Sequence, residues 1–214
     1  MKTNVYIDGF NLYYGCLRGT PYKWLNLFVM CQKLLPSREI IRIRYFTALI
    51  RAQNHDPQAP ARQESYLRAL ETIPNLHIHH GRFVARPQKW PVYPLTYPVL
   101  GEPPTLVRIL RTEEKRSDVN LATLLMLDCV DDDFEEAVVI SNDSDLLLPI
   151  QYAVSRFGKK AGVINPQRRG NASRELMRAA TWSYSEINRS VLAASQLPGV
   201  VNHPRGPITK PATW

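Results

Sequence analysis

The sequence predicts an α/β protein with a mainly parallel central sheet. Short apolar runs that read as buried strands alternate with segments of helical spacing. Acidic and polar residues cluster directly after the first and fourth runs, where such a sheet places its ligand site. A length of 214 residues suits one domain of this kind, with or without an appendage.

The elements follow in order. Val5 to Ile7 is a buried strand that opens into Asp8-Gly9. Tyr22 to Leu35 has a helical stripe of Trp24, Leu27, Phe28, Cys31 and Leu34–Leu35, and Pro36 stops it. Ile40 to Ile50, rich in β-branched and aromatic residues, is the second strand. Gln58 to Ile73 is a helix, and Leu76 to Val84 a third strand with Ile78 and Phe83 in the core. Residues 86–112 hold Pro87, Pro91, Pro94, Pro98, Pro103 and Pro104, too many for a helix or a central strand. They read as a long excursion, an edge hairpin or a flap. Helical spacing returns from Ser117 to about Val130, and Ala137 to Ile140 is a fourth strand. Ser144 to Phe157 is a helix ended by Gly158, Ala161 to Ile164 a fifth strand, and Ser173 to Ala180 a short helix. Trp182 to Ile187 is a last strand or a docking segment. From Gln196 the Pro- and Gly-containing tail has no periodicity and is expected to be mobile or bound to a partner. The domain is therefore expected over residues 1–188, with the excursion at 86–112 and a basic tail at 189–214.

Composition narrows the function classes. No apolar run approaches the roughly 20 residues that span a bilayer. The amino terminus enters a strand pattern without a signal-like apolar region, so a cytoplasmic protein is expected. Cys16, Cys31 and Cys129 are odd in number and form no CxxC pair, which suits neither a disulfide framework nor a zinc site. The net charge of +8 is uneven: residues 151–214 hold 10 Lys and Arg against Glu175 and Glu186, so the excess sits there. Cations beside an acidic cluster suit a phosphodiester substrate, although charge alone also fits a merely soluble surface. No G-x-x-x-x-G-K-[ST] or G-x-G-x-x-G is present, so a nucleotide triphosphatase or a dinucleotide enzyme has no support.

The chemistry lies in four polar clusters. Asp8 follows the first strand with Asn11 three residues on, and Asp118 stands at a helix start. Ser141, Asp143 and Asp145 follow the fourth strand. Singly, each has an ordinary structural reason: turn former, N-cap, or acid favoured by a helix dipole. Together at one end of a sheet they read as a cation site, because clustered carboxylates repel unless a cation neutralises them. A hard cation such as Mg²⁺ takes oxygen ligands and keeps several waters. Asp128, ten residues after Asp118, falls off that helix face and reads as structural. Asp131, Asp132, Asp133, Glu135 and Glu136 read as a solvated turn. His77 and His79 share a strand face, with His80 beside them, but no third soft ligand has fitting spacing.

These residues resemble the NYN domain, a branch of the PIN-like nuclease superfamily. The matching stretches are Tyr6 to Gly15, Thr112 to Ala122, Leu127-Asp128, Val138 to Leu146 and Gly162 to Pro166. The resemblance implies a PIN-like three-layer α/β/α sandwich and Mg²⁺- or Mn²⁺-dependent cleavage of RNA. It implies metal ligation by Asp8, Asp118 and Asp143, with Asn11 as the first-loop asparagine and Asp145 as an additional acid. Arg116 departs from the pattern, which usually has Gly before Ser-Asp. For RNA contact the residues to examine are Lys115, Arg116, Lys159, Lys160, Arg168, Arg169 and Arg174, with Tyr13 and Tyr14 able to stack on bases. The alternatives are an RNA-binding module with negligible turnover, or a nuclease acting on DNA or on structured substrates. A homodimer, or a protein partner bound through the tail, fits the same sequence.

Overall fold

The computed structural model describes the chain from Met1 to Trp214 apart from residues 53, 100 and 168–171. Strand β1 (Lys2–Asp8) runs into a short helix, α1 (Gly9–Leu12), which continues as a π-helical turn over Tyr13–Leu17. Then come α2 (Leu27–Leu34), β2 (Glu39–Thr47), α3 (Ala59–Leu70) and β3 (Leu76–His80). A hairpin of β4 (Arg82–Pro91) and β5 (Leu106–Lys115) leads to α4 (Ser117–Val130) and β6 (Glu136–Ile140). A 3-10 turn at Ser144–Leu146 feeds α5 (Leu147–Ser155), followed by β7 (Lys160–Ile164), α6 (Arg174–Ala179) and β8 (Trp182–Tyr184). The chain closes with α7 (Arg189–Ala193) and a small ribbon of β9 (Val200–Val201) and β10 (Ile208–Thr209).

The central sheet has six strands in the order β3-β2-β1-β6-β7-β8, and every neighbouring pair is parallel. Both faces are covered, which is why its central strands are apolar throughout rather than alternating. Val5, Ile7, Val138 and Ile140 pack towards α1, α2 and α3. Tyr6, Ala137, Val139 and Val163 pack towards α4, α5 and α6. This is the three-layer α/β/α sandwich expected of a PIN-like fold.

Several expectations need correction. The helix predicted from Tyr22 begins only at Leu27, where the Asn26 side chain accepts from Val29 N at 3.1 Å and caps it. Trp24 and Leu25 are apolar for another reason: they bury against the tail, with Trp24 Nε1 donating to Pro198 O at 2.8 Å. The tail is therefore docked rather than mobile, for Leu197, Val201 and Ile208 join the core and Trp214 packs on Trp24 and Tyr66. The single strand predicted over Leu76 to Val84 breaks at Gly81, and Phe83 is only half-buried. The proline-rich excursion is an antiparallel hairpin whose strands extend beyond residues 86–112 on both sides.

The acidic run is not wholly a solvated turn. Glu136 is fully buried and accepts from Trp182 Nε1 at 2.8 Å and Arg38 Nε at 3.0 Å. Asp133 accepts from Asn4 Nδ2 at 2.8 Å and pairs with Arg42. Asp128 receives Arg44 through Nε at 2.8 Å and Nη2 at 2.6 Å, and the Tyr6 hydroxyl at 2.6 Å, in a buried network between β1, β2 and α4.

Candidate metal centre

From β1 the chain builds outward through β2 and β3 on one side, then returns to place β6 against the other side of β1. Such a reversal opens a crevice at the carboxyl ends of the two central strands. Ile7 lies in register with Ile140, so Asp8 and Ser141 emerge side by side. Asp8 caps α1, its Oδ1 accepting from Asn11 N at 2.9 Å. Its Oδ2 accepts from Asn11 Nδ2 at 2.6 Å and from Ser141 Oγ at 2.9 Å. Ser141 Oγ also accepts from Asp143 N at 3.1 Å, and Asn142 N donates to Asn11 Oδ1 at 3.3 Å. The two strand-end loops are thus laced together around Asp8, which is only 3% exposed.

Asp118 arrives from the first turn of α4. Carboxylate oxygens of Asp8, Asp118 and Asp143 all lie within 4.8 Å of one another. They line a cleft of about 280 Å³ with Phe10, Asn11, Tyr14, Phe83 and Glu114. The electrostatics match that crowding. Burial, opposed by its hydrogen bonds, raises the Asp8 carboxyl above its ordinary range. Asp118 is pushed up to about 6, first by burial and then by Asp8 and Asp143. Three hard oxygen donors that repel one another form a donor set suited to a hydrated divalent cation.

Glu114 was not foreseen as a site residue. Its carboxylate accepts from Ser117 Oγ at 2.8 Å and Ser117 N at 3.3 Å, and so seats the start of α4 that carries Asp118. The available signal was its position three residues before Ser117. Phe10 and Phe83 meet edge to face at 5.5 Å on the cleft wall. Gly81 is required where it stands, since a Cβ there would lie 2.1 Å from Glu114 Oε1 and 2.7 Å from Lys115 O. Arg116 sits in the left-handed region at φ 89°, a conformation that favours Gly. The resemblance's usual glycine at this position has that physical reason.

The remaining residues singled out from sequence divide. Asp145 lies exposed on the rim, its backbone N donating to Asp143 Oδ1 at 3.0 Å. Lys115 ends β5 and pairs with Glu113 at 2.8 Å. Arg174 opens α6, whose Ser173 N donates to Asn142 Oδ1 at 2.6 Å, so that helix starts against the acidic loop. Lys159 and Lys160 are not brought to the site. They lie where β7 begins, at the opposite end of the sheet, and Lys159 pairs with Asp132 and donates to Phe134 O at 2.7 Å. Arg168 and Arg169 fall outside the described residues. Tyr14 is 61% exposed beside the cleft, with Tyr13 edge-on to it at 5.2 Å and packed on the core.

The architecture defines a PIN-like α/β/α domain, with a carboxylate trio able to hold a cation at its switch point. The chain belongs to the NYN domain family, whose model matches residues 2–188. It is 33% identical, over an alignment of 238 residues, to 6-hydroxy-3-succinoylpyridine 3-monooxygenase HspA of Pseudomonas putida (strain DSM 28022 / S16); the alignment takes in all of this chain and 75% of that protein. In fold it is similar to a protein of unknown function, VPA0982 from Vibrio parahaemolyticus RIMD 2210633, with a TM-score of 0.53 and 17% identity. That likeness covers 92% of this chain and 96% of the other.

Proposed function

We propose that this protein is a Mg²⁺- or Mn²⁺-dependent endoribonuclease that hydrolyses phosphodiester bonds in single-stranded RNA. The observation that carries the reading is the meeting of Asp8, Asp118 and Asp143 within 4.8 Å at the switch point of a NYN domain. Asp8, Asp118 and Asp143 would hold a divalent cation, which when bound would supply water activation and charge neutralisation at the phosphoryl group. The chain's own residues do the rest. Asn11 and Ser141 hold the Asp8 carboxylate in one orientation, and Glu114 fixes the helix turn that presents Asp118. Asp145 adds negative charge at the rim. Arg116, Lys115 and Arg174 border the acidic loops, where cations hold a phosphate backbone, and exposed Tyr14 offers a ring on which an unpaired base stacks. Cytoplasmic action suits three buried cysteines that form no disulfide among the described residues, and no helix among those residues is long and apolar enough to cross a membrane.

A second reading has one observation in its favour, the 33% identity to a monooxygenase along the whole chain. Aromatic hydroxylation by this protein would need a reductant for the second oxygen atom. The trio's all-carboxylate donor set suits hard cations better than the two-histidine, one-carboxylate set of oxygen-activating iron.

One experiment separates the readings. Purified protein is incubated with single-stranded RNA, duplex RNA and single-stranded DNA across a Mg²⁺ and Mn²⁺ titration, beside Asp8→Asn and Asp143→Asn. A parallel oxygen electrode follows 6-hydroxy-3-succinoylpyridine with reduced nicotinamide. Metal-dependent cutting of single-stranded RNA that both variants lose is the expected result. Intact RNA together with substrate-dependent oxygen uptake would replace the proposal with the second reading. RNA bound but never cut would leave a binding module.

A further inference from the structure

The hairpin β4–β5 opposes its own charges. Its strands carry Arg82, Arg86, Lys89, Arg108, Arg111 and Lys115 against Glu113 and Glu114. The register sets Arg82 opposite Lys115, Arg86 opposite Arg111 and Lys89 opposite Arg108. Directly opposed side chains on an antiparallel pair stand about 5 Å apart at Cβ, and like charges there destabilise the pair. The sequence accepts this three times, in a ribbon that has two strands among the described residues. Relief is partial: Glu113 pairs with Arg111 and Lys115, and the Arg111 guanidinium lies 4.6 Å from the Trp90 ring centre. Arg82, Arg86, Lys89 and Arg108 have no carboxylate partner within ion-pair distance among the described residues.

The placement supplies a reason. Strand alternation puts Arg82, Arg86 and Trp90 on one face with their partners Lys115 and Arg111. That face holds a depression of about 420 Å³ lined by the four cations with Val84, Gln88 and Glu113. The two cation pairs are four residues apart, about 13 Å along the ribbon, far enough to engage more than one phosphate. Phe83 and Glu114, which line the acid cleft, lie on the ribbon's other face, which carries the Lys89–Arg108 pair further out. Trp90, 41% exposed, offers a stacking ring beyond the second pair.

We infer that the β4–β5 hairpin is a nucleic-acid-binding arm, its cation pairs on both faces gripping the phosphates of a strand that passes around the ribbon beside Asp8, Asp118 and Asp143. The inference rests on the ribonuclease reading for the identity of the strand, but its test is binding, not cleavage. An acidic protein surface would match the charge. The paired, regularly spaced cations and the flanking aromatic ring favour a polynucleotide.

The test measures fluorescence anisotropy of a labelled single-stranded RNA in EDTA, across a salt series, for the wild type and for Arg86→Gln/Arg111→Gln. The double variant is expected to bind on the order of tenfold more weakly, with a salt slope smaller by about 1.4, since each phosphate contact on a single strand contributes about 0.7. Its melting temperature should change little, because the repulsion removed offsets the Glu113 pair and the Trp90 contact that Arg111 gives up, and a melt recorded beside the titration separates weaker binding from unfolding. Equal affinity and equal slope would overturn the inference. Displacement of the RNA by polyglutamate at matched charge concentration would overturn it in favour of an acidic protein. Hairpin-dependent binding by a protein that cuts nothing sustains the arm and removes the ribonuclease reading alone.

Discussion

The hydroxyl of Ser141 donates to Asp8 at 2.9 Å, tying together loops whose residues are 133 positions apart in the chain. Ser141→Ala removes that donor and the acceptor used by Asp143 N, while leaving all three carboxylates in place. Mn²⁺ affinity measured by calorimetry should fall by about 10- to 100-fold, the usual cost of losing a group that orients a ligand. Stability should fall by only about 1 kcal/mol. Unchanged affinity would show that Asp8 needs no such orientation.

Arg116 holds a left-handed backbone without being glycine. Arg116→Gly should therefore stabilise the fold by about 1 kcal/mol, read from the midpoint of urea unfolding. The same change deletes a cation next to Asp118, so RNA affinity should fall as stability rises. Movement of both in one direction contradicts this account.

Asp128 and Arg44 form a pair almost closed to solvent. Asp128→Ala leaves the guanidinium and the Tyr6 hydroxyl without their acceptor, and should cost about 3–5 kcal/mol. Replacing both partners, as Asp128→Leu with Arg44→Met, should recover most of that loss. Urea melts of the single and double variants test it: a double variant as weak as the single would mean that packing, not the stranded charge, sets the cost.

His79 stacks on Phe46 at 4.9 Å and faces Arg44 Nη1 at 3.3 Å. Burial, then Arg44, lower its pKa from 6.5 to about 4. Between those values the unfolded chain binds more protons at this position, so its contribution to stability is whole above pH 6.5 and is lost as pH falls towards 4. Asp118, raised to about 6, acts in the opposite sense below that pH, so the informative quantity is a difference. As the solution is acidified from pH 6.5 towards 4, wild type should lose melting temperature relative to His79→Phe. Parallel curves would place the acid sensitivity elsewhere.

Much of the sheet was legible because its strands are buried on both faces: Val138 to Ile140 and Val5 to Ile7 have no polar interruption to confuse the pattern. The start of α4 at Ser117 was legible from the change in spacing, and the acid trio from strand ends alone. What failed did so for tertiary reasons. Trp24 and Leu25 imitate a helix stripe, but their apolar character serves the tail. Lys159 and Lys160 flank a strand, and sequence proximity concealed that they precede it, which in a parallel sheet means the far edge from the acids. Prolines drew notice to residues 86–112 and away from the cations between them, whose opposition is visible only once the register is known.

Gly81 lets the ribbon settle directly onto Glu114 and Ser117, with no side chain to cushion the joint. The root of the ribbon and the turn that presents Asp118 therefore share a single joint with no slack in it, so neither can shift without the other.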